Sequence, residues 1–527
     1  MVQASSLVEY GSRRVIITLT AIVCALLEIV DTTIVNVALN DMKGNLGATT
    51  SEVGWVVTAY AIGNVIIIPM TSWLAVQFGR RNYFAASIIL FTICSFLCGQ
   101  ATGINELIIF RFLQGVGGGA LLVTSQTIIT ESYPPEKRGM AQAIYGLGVI
   151  VGPTLGPPLG GFITDHAGWE MIFYINIPLG IIATLLTLQF VRSPKYAEKS
   201  STRDIDWLGI GLLAVFVGSL QYILEKGQED DWFNSSTITF FTATAILGAF
   251  FFIWRELTFR NPVVQLRVLK NGNLRMGTIL SFIMGFGLYG STFIIPLYVQ
   301  ATLGWTATQA GLLLVPAALM TAVMMPLIAK LMQKGIPQQY LVAAGMLIFF
   351  VFCFWGYKIL TPDTGKPAFF WMLIMRGVGL GLLFIPVTAL SLSTLKGRAI
   401  GDGAAFTGMM RQLGGSFGIA AITTFMAHQN MQHRANLVAH LDVTNPVVQN
   451  RIVGMQQGFI AKGDAANTAL QKSYKALDFA VTKQAAVLSY MDVFLYIGLL
   501  FLICIPVVLL VRKKKDQSEK LDMSNVH

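Results

Sequence analysis

Apolar runs of about 20 residues recur from one end of the chain to the other, and they constrain its fold more than any other feature. The hydrocarbon core of a bilayer is about 30 Å thick, which about 20 helical residues can cross. The sequence therefore predicts a polytopic, all-α membrane protein. Fourteen membrane spans are predicted, at residues 15–38, 53–77, 83–101, 106–130, 140–163, 171–191, 207–225, 237–256, 276–299, 308–330, 340–358, 368–392, 402–427 and 488–511.

The composition excludes several other classes of protein. Only 12% of the residues are charged and 54% are hydrophobic, whereas an average soluble domain has about 25% charged residues. These values exclude a soluble enzyme and a disordered chain. The five cysteines all lie inside apolar runs without metal-ligand or redox spacing, so neither a disulfide framework nor a metal site is predicted. No phosphate-binding loop is apparent, so ATP is not expected to drive the protein.

Lysine and arginine alternate between the two sides of the predicted membrane. They cluster in every second connecting segment, beginning with Arg13 and Arg14 before the first span and ending with Arg512 and Lys513 after the last. By the positive-inside rule these segments, and with them both termini, are predicted to be cytoplasmic. The net charge of +10 is therefore a topology signal. It indicates a lipid bilayer, and not nucleic acid, as the surrounding partner.

The chain contains an internal repeat of its glycines. Three glycines at 115, 117 and 119 recur at 377, 379 and 381, and the same offset places glycines 146, 152 and 156 on 408, 414 and 418. Six spans therefore repeat with two inserted between the copies, as in transporters whose two bundles rock around a central site. The predicted parts are a cytoplasmic N-terminus at 1–14, a six-helix bundle at 15–191, two inserted helices at 207–256, a second six-helix bundle at 276–511 with an extracytoplasmic loop at 428–487, and a cytoplasmic tail at 512–527.

The first span carries two carboxyl groups. Glu28 and Asp31 are three residues apart and share a helix face, with Asn36 further along the span. Burial and mutual repulsion favour the protonated form of at least one of them, which is what proton-coupled transport requires. Alternatively, a carboxylate pairs with Arg111 or Arg376 and only locks the bundle. Coupling is favoured for Asp31, and for Glu28 both interpretations stay open.

Two further strings bear on transport. Arg111 lies within the fourth span, where a buried arginine is costly unless it is paired or faces water. It therefore marks either an ion or substrate path or a structural anchor. The fifth span is rich in glycine and proline, which either pack a tight helix seam or form a pliable helix at a moving interface. Its candidate residues are Gly148, Gly152, Pro153, Gly156, Gly160 and Gly161.

The string from Asp31 to Leu39 resembles the span-1 signature of the fourteen-spanner drug:proton antiporter family of the major facilitator superfamily. The strings of spans 4 and 5 resemble motifs of the same superfamily. Agreement continues at residues 133–138, 172–180 and 411–416, covers nearly the whole chain, and is nearest to EmrB-type multidrug exporters. The resemblance implies the superfamily's fold, with 14 transmembrane helices in two pseudo-symmetric six-helix bundles plus two inserted helices.

The same resemblance implies a function. It implies that the proton gradient, with no bound cofactor, drives export of hydrophobic, drug-like compounds across a bacterial inner membrane, and that Arg111 takes part in proton transfer. An EmrA-like membrane fusion protein and a TolC-like outer-membrane channel are the implied partners, with 428–487 as the contact region. The alternative is a carrier that exports or imports one dedicated metabolite, such as a siderophore or a lipid.

The loop between spans 2 and 3 departs from the family pattern. Relatives usually carry a glycine, an aspartate and an arginine where this chain has Ser72, Val76 and Gln77. Because that aspartate belongs to a charge clamp at the cytoplasmic gate, we expect different gating contacts here. The retained residues, which are the predicted gate, are Gly79, Arg80 and Arg81.

Polar and aromatic residues within the spans are candidates for a substrate cavity. For the aromatic residues the alternative is ordinary packing, and for the arginines it is anchoring of the second bundle. The candidates are Asn36, Tyr60, Asn64, Gln126, Phe286, Tyr289, Tyr298, Arg376 and Arg411.

Overall fold

The computed structural model describes residues 7–134, 137–194, 205–259, 261–442 and 444–510, and almost all of them are helical. The predicted cytoplasmic tail at 512–527 and the first six residues of the predicted N-terminal segment lie outside the described residues. The fold is therefore all-α, as the apolar runs predict.

The helices form two sets with a hairpin between them. The first set is α1 Gly11–Asn45, α2 Thr50–Phe78, α3 Arg80–Gly99, α4 Ile104–Ser132, α5 Arg138–Ala167, α6 Met171–Tyr174 and α7 Asn176–Phe190. The hairpin is α8 Trp207–Lys226 and α9 Ser236–Thr258, joined by a short 3-10 turn at Trp232–Asn234. The second set is α10 Gly272–Ala301, α11 Ala307–Gln333, α12 Gln338–Ile359, α13 Lys366–Leu392, α14 Arg398–Ala439, α15 Pro446–Ile460 and α16 Ala466–Leu510.

Several helix ends follow recognisable capping signals. Thr49 and Glu52 form a reciprocal capping box at the start of α2, and Thr306 and Gln309 form another at the start of α11. Gly79 separates α2 from α3 with φ of 82°, a left-handed conformation that glycine adopts without a steric penalty. These local signals fix where each helix begins or ends.

The predicted count of fourteen spans is supported only in part. In the described part of the chain, 12 helices are both long and apolar enough to cross a membrane, with α6 and α7 acting together as one. The other two predicted spans coincide with α5 and α14, which have 30 and 42 residues and are not among these 12. In α14, buried polar side chains such as Asp402 and Arg411 dilute the apolar character of the helix.

Helices α5 and α14 lie where the two halves of the protein meet. Helix α5 packs against α1 of its own half and against α11 of the other, while α14 packs against α10 of its own half and against α2 of the other. The hairpin α8–α9 packs beside this junction, against α2 and α14. A helix enclosed by protein can therefore carry polar residues that lipid would not tolerate.

The segment predicted as an extracytoplasmic loop at 428–487 is helical. Helix α14 continues to Ala439, α15 covers much of the middle, and α16 begins at Ala466, well before its apolar part. A hydrogen bond between His433 and Asp492 (2.7 Å) and an ion pair between Arg434 and Asp478 (2.7 Å) tie α14 to α16. Two helices of the second half therefore continue beyond the apolar spans as one projection.

Glycines allow α2 and α4 to approach closely. A Cβ atom on Gly63 would overlap the backbone of Phe112, one on Gly115 would overlap the carbonyl oxygen of Tyr60, and one on Gly119 would lie about 2.5 Å from the carbonyl oxygen of Asn64. The repeated glycine string of the fourth span is therefore a packing surface for α2. It sets how near the polar side chains of α2 stand to those of α4.

We expect Gly115→Ala to lower the free energy of unfolding by about 1–3 kcal/mol, because the added methyl group must push two backbones apart. Gly139→Ala is the matched control, since nothing lies within 4 Å of a Cβ atom there; its effect should stay within about 0.5 kcal/mol. Denaturation of the two purified variants in detergent checks this. Equal stability of the two variants would contradict the close approach.

Candidate functional site

A buried ion pair lies at the centre of the first half. Arg111 Nη1 on α4 is 2.6 Å from Asp31 Oδ2 on α1, and both side chains are at most 1% exposed. The Arg111 guanidinium also donates to the carbonyl oxygen of Val56 through Nε (3.2 Å) and lies 4.1 Å from the centre of the Tyr60 ring. Asp31 and Arg111 thus neutralise each other where neither could meet water.

Neutral side chains complete the hydrogen bonds of this pair. Gln114 accepts from Arg111 Nη1 (2.8 Å) and donates to Asp31 Oδ1 (3.0 Å). Asn176 on α7 donates to the same Oδ1 (2.9 Å) and to Ser95 on α3 (3.1 Å). The network therefore joins α1, α3, α4 and α7. Every acceptor position around Asp31 Oδ1 is used by a donor from a different part of the chain.

Glu28 lies one turn away from Asp31 in a different environment. It is 5% exposed, and Asn64 Nδ2 of α2 donates to its Oε1 at 2.8 Å. Among the described residues, no lysine or arginine forms an ion pair with Glu28. Its Cγ is near Gly118, where an added Cβ atom would lie 3.5 Å away. Glu28 is therefore a buried carboxyl group held by one amide.

Arg411 is a buried arginine without a hydrogen-bond partner at its end. It lies on α14 with 1% exposure, and its Nη1 and Nη2 have no hydrogen-bond partner among the described residues. The guanidinium is 5.4 Å from the centre of the Phe384 ring and interacts electrostatically with Glu28 across the junction of the two halves. The Tyr145 hydroxyl is also near, but it donates to the carbonyl oxygen of Leu122 (3.2 Å).

The other predicted cavity residues are dispersed. Arg376 bonds to Ser291 and Thr292 and so ties α13 to α10, and Gln126 donates to Gln142 (3.2 Å) between α4 and α5. Tyr298 donates to the carbonyl oxygen of Thr361. Phe286 and Tyr289 lie against glycines of α14, whereas Asn36 is exposed. The structure thus brings together Glu28, Asp31, Tyr60, Asn64 and Arg111, with Arg411 and Tyr289 near them from the other half, and leaves the remaining candidates apart.

The glycines of α5 follow α1. Added Cβ atoms on Gly152, Gly156 and Gly160 would collide with Ile29, Thr33 and Ile34 of α1, whereas Gly148 has room at 3.5 Å. Gly161 instead faces Thr308 of α11, and Pro158 contacts Gly311 of the same helix. The string from Gly148 to Gly161, including Pro153, therefore packs against the carboxyl-bearing helix on one side and against the opposite half on another.

The stretch around the junction of α2 and α3 lacks the aspartate of the usual loop pattern, and carboxylates of other helices contact its side chains instead. Arg80 Nη1 and Nη2 contact the two carboxylate oxygens of Glu131, at the end of α4, at 2.6 and 3.3 Å. Ser72 donates to Asp402 Oδ1 (2.5 Å), which links α2 to α14 across the two halves. Arg81 is exposed, and its backbone amide donates to Ser193. These contacts form an Arg80–Glu131 clamp and a Ser72–Asp402 latch, and a role for them in gating stays a prediction.

Sequence reasoning did not identify several members of these networks. Gln114 lies three residues after Arg111 and could have been found from helix periodicity. Asn176, which donates to Asp31, is 145 residues away from it in the sequence, and Ser95 is connected to Asp31 through Asn176. No local sequence pattern relates these residues. Glu131 and Asp402 are single carboxylates at helix ends, which are ordinarily surface positions.

Comparison with known proteins shows the family of the chain. The protein-family model described as Major Facilitator Superfamily matches residues 21–419. The chain is 32% identical to the multidrug export protein EmrB of Escherichia coli K12, over 94% of this chain and 95% of that protein. It is equally identical to the fatty acid resistance protein FarB of Neisseria gonorrhoeae, over 95% and 97% of the two chains.

Solved structures show the same fold at lower identity. A double-tryptophan variant of the xylose transporter XylE matches with a TM-score of 0.60 at 17% identity, over 96% of this chain and 98% of that one. The human organic anion transporter MFSD10 matches with a TM-score of 0.56 at 12% identity, over 93% and 100%. At these identities the likeness extends to the arrangement of helices alone.

We expect Asp31→Asn and Arg111→Gln each to lower the free energy of unfolding by about 3–5 kcal/mol, because each leaves one buried charge unpaired. The double variant should lose less than the sum of the two, with a coupling energy of about 0.5–3 kcal/mol. Denaturation of the four proteins in detergent gives this double-mutant cycle. Additive losses would mean that the two charges do not stabilise each other.

We expect Ser72→Ala to loosen the junction where α2 meets α14, since it removes the hydrogen bond to Asp402. In a cysteine-free background, Thr124→Cys reports access to the small cavity beside Ser72, and its labelling by a membrane-impermeant maleimide should become several-fold faster. Ser87→Ala is the control, because Ser87 donates only within its own helix, to Tyr83. Unchanged labelling in Ser72→Ala would contradict a latch.

Proposed function

The chain belongs to the major facilitator superfamily, and from this premise we propose that it exports hydrophobic and amphipathic toxic compounds in exchange for protons. Support for export comes from relatives named as multidrug export proteins that match nearly the whole chain. Support for proton exchange comes from the site itself. The observation that carries it is a buried carboxyl group, Glu28, without an ion-pair partner at the junction of the two halves.

The two carboxyl groups, Asp31 and Glu28, differ in the free-energy cost of protonation. Protonation of Asp31 would leave Arg111 buried without its counter-charge, at a cost of about 3–5 kcal/mol. Protonation of Glu28 leaves no arginine unpaired within its own half, because only Asn64 is bonded to it. We therefore assign the first proton to Glu28, with Asp31 and Arg111 as the charged pair beside it that takes part when the halves move.

Movement of the halves provides the rest of the cycle. They meet through α5 and α11 on one side and through α2 and α14 on the other, so each half can rock on the other about these pairs. Because α5 and α14 lie between helices that cross the membrane, we propose that they cross it as well. That gives fourteen spans, with both termini on the cytoplasmic side of a bacterial inner membrane.

The helical projection formed by the ends of α14 and α16 together with α15 is the proposed contact for an adaptor. It exposes large apolar side chains in a part of the protein that lies beyond the apolar spans, and such patches commonly mark protein partners. An EmrA-like membrane fusion protein that leads to a TolC-like channel is the partner we propose for it. The exposed residues include Met431, Val438, Val447, Val453, Ile460, Tyr474 and Phe479.

A second candidate function keeps the same fold. The match to a protein named for fatty acid resistance favours a carrier for a lipid-like acid as the alternative to broad drug export. A panel of unrelated drugs separates the two functions, because a dedicated carrier confers resistance to none of them.

Proton release from inverted vesicles tests the proposal. Vesicles containing the protein are energised to an acidic interior, and ethidium, an uncoupler-type phenol and a lipophilic antibiotic are added in turn. We expect drug-triggered proton release from the wild type, loss of at least 10-fold in Glu28→Gln, and loss in Asp31→Asn accompanied by lower stability. Asp478→Asn is the control, because Asp478 is exposed and lies on the projection.

Each outcome of this experiment has a definite meaning. Normal release from Glu28→Gln together with loss in Asp31→Asn would transfer the first proton to Asp31. Normal release from both variants would remove the coupling role from this cluster. Silence from the wild type with every drug would contradict multidrug antiport.

A further inference from the structure

Two buried carboxyl groups that the proposed function does not use lie at one end of the hairpin α8–α9. Asp206 immediately precedes α8, Glu256 lies near the end of α9, and each is 1% exposed. Both face Gly209: a Cβ atom there would lie 2.7 Å from Asp206 Oδ2 and 3.0 Å from Glu256 Oε1. Two acidic side chains thus share one buried space, on the side of the membrane that the basic residues predict to be cytoplasmic.

The hydrogen bonds of the two carboxyl groups are unequal. Arg255 donates to both oxygens of Asp206 through Nε (3.1 and 3.2 Å), and the Gly209 amide donates to Asp206 Oδ1 (2.9 Å). Glu256 accepts the Val264 amide at Oε2 (3.0 Å), whereas its Oε1 has no hydrogen-bond partner among the described residues. The arginine beside the two groups is therefore bonded to Asp206, and an ionised Glu256 would be a second negative charge in the same buried space.

Glu256 is bonded to the connecting segment, residues 261–271, which leads from the hairpin to α10 in the second half. Val263 and Val264 of this segment are 2% and 4% exposed. They belong to one apolar cluster with Trp73 of α2 and with side chains of α8, α9 and α14. The cluster thus joins both halves, the hairpin and the connecting segment. Because the Val264 amide donates to Glu256, the carboxyl group lies where the segment docks.

The two carboxyl groups lie at helix ends of opposite polarity. Asp206 is the N-cap of α8, where the helix dipole favours a negative charge, whereas Glu256 is in the last turn of α9, where the dipole disfavours one. Burial and the neighbouring carboxylate also disfavour the charged form of Glu256. The bond from the Val264 amide acts in the opposite direction but supplies no full charge, and Arg267 of the connecting segment donates to a backbone carbonyl of α9. The proton therefore fits on Glu256 and the charge on Asp206.

We propose that Glu256 is a pH-sensitive switch that controls docking of the connecting segment. When it is protonated, it accepts the Val264 amide, Arg255 compensates the single charge of Asp206, and the segment stays docked. When it is ionised, two carboxylates repel each other in the buried space, and undocking of the segment relieves this repulsion by admitting water. The stiffness of the link between the hairpin and the second half thus depends on pH. The switch is separate from Glu28 and does not depend on drug export.

Labelling of a buried cysteine in the connecting segment tests this proposal. In the full-length protein, purified in detergent and otherwise cysteine-free, Val263→Cys is labelled by a maleimide between about pH 5 and about pH 9, a range in which buried carboxyl groups titrate. Its rate is divided by that of Asn261→Cys, an exposed reporter in the same segment, to remove the pH dependence of the thiol itself. We expect this ratio to rise about 10-fold or more with pH, because a one-proton equilibrium changes tenfold per pH unit beyond its midpoint.

Glu256→Gln separates the effect of charge from that of packing. The glutamine side chain is neutral at every pH and its oxygen can accept the same backbone amide, so the buried reporter should label slowly throughout and the ratio should stay flat. Asp206→Asn is a second variant in case the first does not fold: it removes the neighbouring carboxylate and leaves Arg255 for Glu256, so the rise should shrink. Glu106→Gln is the matched control, because Glu106 is exposed on α4 and its loss should leave the wild-type profile unchanged.

Four results would overturn the proposal. A ratio that does not change with pH in the wild type would mean that no titrating group controls the segment. An equal rise in Glu256→Gln would assign the pH dependence to another group. An unchanged rise in Asp206→Asn would show that repulsion between the two carboxylates has no part in it. A ratio that falls as pH rises would mean that ionised Glu256 holds the segment in place.

Discussion

The ion pair between Asp31 and Arg111 is the interaction on which the first half depends. Both side chains are at most 1% exposed, and burying either charge alone would cost a prohibitive amount of free energy. Even as a pair, they require every remaining hydrogen-bond donor and acceptor to have a partner. That requirement draws in Gln114, Asn176 and Ser95, and with them four helices. The packing of the bundle is therefore directed by one polar centre, whereas apolar contacts in lipid have little preference for one partner over another.

Among its described residues, the second half has no equivalent buried ion pair. Arg376 is bonded to hydroxyl groups, and the end of Arg411 has no hydrogen-bond partner among the described residues. An arginine that is buried and incompletely bonded is stable only if another conformation or another group supplies what is missing. Arg411 lies opposite Glu28, so two incompletely compensated groups approach each other across the junction, beside the fully bonded pair of Asp31 and Arg111.

The sequence predicted the fold through features that act locally. Runs of apolar residues predict the helices, basic clusters predict their orientation across the membrane, and repeated glycines predict two related halves. A pairing of the span-1 carboxylate with Arg111 or Arg376 was foreseen as an alternative to coupling, and the structure shows the pair with Arg111. The Arg80–Glu131 clamp was not foreseen, since nothing near Glu131 marks it as buried. Residues 428–487 were predicted as a loop, whereas most of them are helical, because helices that leave the membrane no longer need apolar side chains.

Two helices of the second half are far longer than a membrane is thick. With 42 and 45 residues, α14 and α16 extend about 63 and 68 Å at 1.5 Å per residue, about twice the hydrocarbon core. The hydrogen bond between His433 and Asp492 and the ion pair between Arg434 and Asp478 hold the two helices side by side, so beyond the apolar spans they move as one rigid unit. A tilt of the second half by a few degrees, too small to matter near its pivot, is thereby magnified into a displacement of several ångströms at the tip. A change at the junction can thus displace the tip of the projection outside the membrane, although the projection itself keeps its shape.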